Sequence, residues 1–174
     1  MKVRIRDIPP RGLRIQATMD LRSLQQRILG EGEEGRFVFT EAPRVDLMIH
    51  RASHGGLVKG TLEGKYRQTC ALCLEDVERE LRLDADFMVR ERPEDVPEDD
   101  PQYQDDVGVF HFTSDQVDLE RILEEVIILS LSLYWHPPLE KETCIQCGRR
   151  FGEGGAAATE GTQKLGDILK KAGL

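Results

Sequence analysis

Apolar and polar residues alternate most clearly between Val77 and Val89. Val77, Leu81, Leu83, Ala85, Phe87 and Val89 take odd positions, with Glu78, Glu80, Arg82, Asp84 and Asp86 between them. A period of two gives one dry and one wet face, as in an antiparallel sheet with one side in water. Val45, Leu47 and Ile49 follow the same rule. His54-Gly55-Gly56 then reads as a hairpin turn, and Val58, Leu62 and Tyr66 continue beyond it, so the second strand delivers Cys70 at its end. Val3 and Ile5 predict a short first strand, and 107–112 returns to strand character.

Helical spacing appears twice with strength. Leu21, Leu24 and Ile28 predict a helix from Asp20 to Leu29. Leu119, Ile122, Leu123, Val126, Ile127, Ser130, Leu131 and Tyr134 predict a longer one, capped by Asp118 or Asp115 and running to Tyr134. Trp135-His136-Pro137-Pro138 ends it, because a residue before proline is driven out of the helical region. Glu124 and Glu125 read as its solvated side. Residues 152–161 are Gly/Ala-rich and read as a flexible linker to a short C-terminal helix, about Gln163 to Ala172. The expected fold is α+β: one domain over 1–174, an antiparallel sheet, one long helix and one or two short ones.

At 174 residues, 39% apolar and 32% charged, the chain is long enough for one real core. Its start carries no continuous apolar stretch of the secretory kind, and Val126–Leu133 is too short to span a bilayer, so the expectation is a cytoplasmic protein with no membrane partner. The net charge of −8 is unevenly placed. Residues 91–106 hold eight acids and one arginine and read as a mobile acidic loop, whereas residues 1–30 hold seven bases and two acids. A bipolar chain of this kind can still present a basic face to a polyanion.

The cysteines form two pairs of identical spacing, Cys70-Ala-Leu-Cys73 and Cys144-Ile-Gln-Cys147. Four thiolates in two tight turns suit a tetrahedral structural zinc, which would staple the hairpin to the segment after the long helix. Closing the gap of about 70 residues costs roughly 4 kcal/mol, against about 10–16 kcal/mol from structural zinc in peptide systems. A redox Cys-x-x-Cys is normally a single pair near a βαβ pattern, which is absent here, and a cytosolic setting disfavours structural disulfides. Four thiolates leave no open position for a substrate, the four histidines have no ligand spacing, and no nucleophile-elbow, phosphate-loop or dinucleotide motif occurs. These observations point to a binding module that takes no small-molecule substrate. The alternatives are a thiol-dependent redox enzyme and a transcription-associated zinc module.

The order of features resembles a known family. Cys70-Ala71-Leu72-Cys73-Leu74-Glu75-Asp76-Val77 precedes a long alternating strand. An acidic segment follows, then a helix opening Val117-Asp118-Leu119 and carrying Glu124-Glu125, a proline-containing exit and Cys-x-x-Cys-Gly. This resembles the bacterial YceD family over roughly residues 40–174. The resemblance implies a role in large-subunit ribosomal RNA accumulation or ribosome assembly, with ribosomal RNA or an assembly protein as partner. It transfers no catalytic residue. Leu72 stands where the family pattern usually has an arginine, so an RNA contact assigned to that arginine does not carry over. Lys2, Arg4, Arg6, Arg11 and Arg14, with Lys141, Arg149 and Arg150 beside the second cysteine pair, are the candidates for phosphate contacts. The acidic segment opposes RNA and suits a basic protein.

Overall fold

The computed structural model describes residues 1–30, 36–71, 74–93, 96–97, 100, 107–136, 139–140 and 143–145. They fall into two compact units, one built from Met1–Thr69 and Asp76–Leu133, the other from Cys70–Glu75 and Tyr134–Leu174.

The first unit is organised by three long consecutive strands: β3 (Phe37–Ala52), β4 (Gly55–Thr69) and β5 (Asp76–Glu91). Together with β2 (Leu13–Thr18) and β6 (Val109–Phe112) they form a five-stranded sheet in the order β2-β3-β4-β5-β6. Its register follows the alternating pattern. Val45 faces Leu62 and Leu62 faces Leu83; Ile49 faces Val58 and Val58 faces Phe87. These rows point to one side, where Leu47, Ile49, Val58, Leu62 and Val89 are fully buried. Helix α1 (Leu21–Gly30) adds Leu24 and Ile28 to the core, and helix α2 (Leu119–Ser130) adds Leu119, Leu123 and Ile127. Each such side chain contributes about 1.5–3 kcal/mol on full burial. A small two-stranded sheet pairs β1 (Lys2–Val3) with β7 (Val117–Asp118) at the start of α2.

Four expectations need correction. The sheet is mixed, because β6 runs parallel to β5, pairing Met88 with Val109 and Glu91 with Phe112. A parallel neighbour requires a connection long enough to carry the chain back along the strand, and 92–108 supplies it. The β3–β4 turn is Ser53–His54, with Ala52 opposite Gly55. Gly55 already pairs as a strand residue, and the position takes glycine because a Cβ there would lie 1.9 Å from the Val89 carbonyl oxygen. Helix α2 stops at Ser130, whose hydroxyl donates to the Ile127 carbonyl while Leu131 turns extended (φ −72°, ψ 121°). Finally, Glu124 is buried at 2% exposure and does not lie on a solvated side.

In the second unit, β8 (Leu139–Glu140) and β9 (Thr143–Cys144) pair antiparallel. Most of the acidic segment, the Gly/Ala linker and the expected terminal helix lie outside the described residues. Among the described residues no helix is long and apolar enough to cross a membrane.

Candidate functional site

Cys70 follows the last residue of β4, where its N–H donates to the Glu75 carbonyl at 2.9 Å and its own carbonyl accepts from Leu74 N–H at 3.0 Å. Leu74 takes a positive φ of 59° to close this turn. Ala71 N–H then donates to the Trp135 carbonyl at 2.9 Å, tying the turn to the chain after α2. Cys70 and Cys144 are both buried, whereas Cys73 and Cys147 lie outside the described residues. The expected four-cysteine zinc staple is therefore corrected. Among the described residues no group of three or more His, Cys, Asp or Glu side chains is placed to hold a metal ion. The described part of the Cys70 turn is closed by backbone hydrogen bonds, so its shape does not call for an ion.

The N-terminal bases fare differently from one another. Lys2, Arg4 and Arg6 are exposed while Val3 and Ile5 are half-buried, although the expected strand stops at Val3 and Ile5–Asp7 form a 3-10 turn. Arg4 Nε and Arg6 Nη2 each lie 3.2 Å from the same Asp115 oxygen, leaving two guanidiniums to share one carboxylate. Arg14 makes a two-pronged pair with Asp46 at 2.9 and 2.6 Å, which Gln16 supports at 2.9 Å. Hydrogen bonds from Arg14 and then Gln16 hold the Asp46 carboxyl down at about 2. Lys2 and Arg11 are exposed and form no ion pair among the described residues. Lys141, Arg149 and Arg150 lie outside them.

Between α1 and α2 a cleft of about 480 Å³ is lined by Asp20, Ser23, Arg27, Asp118, Glu120 and Arg121, with Glu124 at its wall. Arg27 reaches Glu124 at 3.2 Å and the Arg121 carbonyl at 2.8 Å. The Met1 ammonium lies 2.7 Å from Glu120, whose other oxygen accepts from Asp20 N–H at 2.8 Å. Those two hydrogen bonds lower the Glu120 carboxyl below its ordinary value. Sequence reasoning missed this cleft because its partners lie about a hundred residues apart in the chain.

The opposite face of the sheet is open to solvent and charged. On β5 it carries Asp76, Glu78, Glu80, Asp84 and Asp86, all exposed, with Arg82 the one base in that row. Lys59 of β4 pairs with Asp86 at 3.2 Å, and Lys65 pairs with Glu41 at 3.1 Å.

Strand β5, the segment after it and helix α2 all fall within residues 58–166, which match the model of a protein family described as Large ribosomal RNA subunit accumulation protein YceD. The chain belongs to this family. The YceD match begins in β4 and takes in both cysteine pairs, whereas β1, β2, α1 and β3 precede it. The whole acidic row, together with Asp118, Glu120 and Glu124, is thus in YceD territory, and the N-terminal bases are not. No curated protein and no solved structure matches the chain.

Proposed function

We propose that this chain is a non-enzymatic binding factor that supports accumulation of large-subunit ribosomal RNA, or assembly of the large subunit, in the cytoplasm. The observation that carries the reading is the YceD family match over β5, α2 and both cysteine pairs. The fold adds two supports. The sheet buries one face and, among the described residues, exposes a charged one that a macromolecule can contact. Among the described residues Asp115 is the carboxylate that the Arg4 and Arg6 guanidiniums share, so a phosphate can replace it at little electrostatic cost.

The test is genetic. In host cells lacking the chain, mature large-subunit ribosomal RNA should fall relative to small-subunit RNA, and a plasmid copy should restore it. An unchanged ratio in the deletion strain would remove the reading.

A further inference from the structure

Strand β5 is paired unequally on its two sides. Strand β4 bonds it along its whole length, from Thr69 opposite Asp76 to Gly55 opposite Arg90. Strand β6 bonds the other side only from Met88 to Glu91. From Asp76 to Phe87, no strand among the described residues pairs with that second side. Half of the backbone N–H and C=O groups of this stretch therefore have no strand partner among the described residues, over roughly 35–40 Å at about 3.4 Å per residue.

Side chains along this edge sort by face. The solvent side carries Asp76, Glu78, Glu80, Asp84 and Asp86, and its single base, Arg82, is paired with Glu80 at 2.8 Å. The other side carries Val77, Leu81, Ala85 and Phe87, all buried. Arg79 is turned to that side, where it lies over the Tyr66 ring and donates to Gln68. Charge on a free edge guards against self-pairing. A row with five acids to one base does more, because its net charge repels a second copy of itself and RNA while attracting an extended chain of opposite sign.

We propose that the edge of β5 from Asp76 to Phe87, which no described strand pairs, takes an extended Lys/Arg-bearing segment of a partner protein as an added strand. The basic side chains of that segment lie over the acidic row, and its alternate, apolar residues continue the covered face. Main-chain hydrogen bonds supply affinity and the alternating side chains supply register. The inference rests on the ribosome-assembly reading for the kind of partner, since proteins that bind ribosomal RNA carry basic extended segments.

The test uses the full chain and a fluorescein-labelled peptide of alternating Lys and Val, about ten residues long, followed by fluorescence anisotropy. Saturable binding is expected. It should weaken at least about tenfold in the Glu80→Lys/Asp84→Lys variant, which changes two exposed side chains, with folding checked by circular dichroism. A peptide N-methylated at alternate backbone nitrogens should lose binding to the same degree. Equal binding of the methylated peptide would show charge attraction without strand addition and overturn the proposal. So would no peptide binding, or binding of a single-stranded RNA oligonucleotide in its place. The ribosomal RNA ratio in the deletion strain decides the family-based reading separately. If the wild-type plasmid restores the ratio and the peptide does not bind, the edge fails and that reading stands.

Discussion

Asp46 shows how one exposed carboxylate is fixed by its neighbours. Arg14 sits on β2 directly opposite Met48, two residue pairs from Gln16 opposite Asp46 and on the same face, so the antiparallel register brings both donors onto the carboxylate. Its folded value of about 2 lies below the unfolded carboxylate value of about 3.9. The contribution to stability is therefore fully present above the unfolded value and is lost as pH falls toward about 2. A carboxyl ¹³C NMR titration should place the Asp46 midpoint near 2 in the wild type and return it to the ordinary aspartate range in Arg14→Ala. An unmoved midpoint would show that Arg14 does not hold it. Among the basic candidates read from the sequence, Arg14 is thus engaged within the fold, and Lys2 and Arg11 are the described ones that form no ion pair.

Helices α1 and α2 are joined by more than apolar contact. Glu124 side-chain exposure is 3% and that of Arg27 is 32%, so the pair is buried on the acid side only. Removing the arginine leaves a buried charge without its partner, which costs about 3 kcal/mol. Arg27→Met should lower the urea midpoint accordingly, and Arg27→Met/Glu124→Leu should recover most of the loss; a single variant as stable as wild type would remove the ion pair from the account. The sequence conceals this pair because nothing local to Glu124 signals a guanidinium from α1. By contrast, β5 was legible, since period two is a property of the strand itself. The direction of β6 was not, because strand pairing depends on the path of 92–108. The end of α2 was misread for a local reason: Ser130 back-bonds to Ile127 and releases Leu131 into extended backbone. The four-cysteine staple was read from spacing alone, and spacing does not say which side chains converge.

Across the whole molecule, charge is segregated along the chain. Residues from Asp76 to Asp106 hold thirteen acids and four arginines, while the rest of the chain holds nineteen acids and twenty bases. All of the net negative charge thus belongs to β5 and the segment after it. A protein arranged this way can meet two partners of opposite sign without either being repelled from the other's surface. The parallel pairing of β6 adds a consequence for chain length. The ends of the 92–108 connection are fixed by the β5–β6 ladder, and the closure entropy of a connection between fixed ends rises only logarithmically with its length, by about 0.6 kcal/mol per doubling. An epitope inserted between Pro101 and Gln102 should therefore leave the melting temperature nearly unchanged, whereas one inserted at Ser53–His54 should unfold the hairpin. If differential scanning calorimetry finds both insertions equally harmful, residues 92–108 help to build the fold. If it finds the expected difference, this segment is a place where the protein tolerates lengthening, and a site for a tag that leaves the sheet intact.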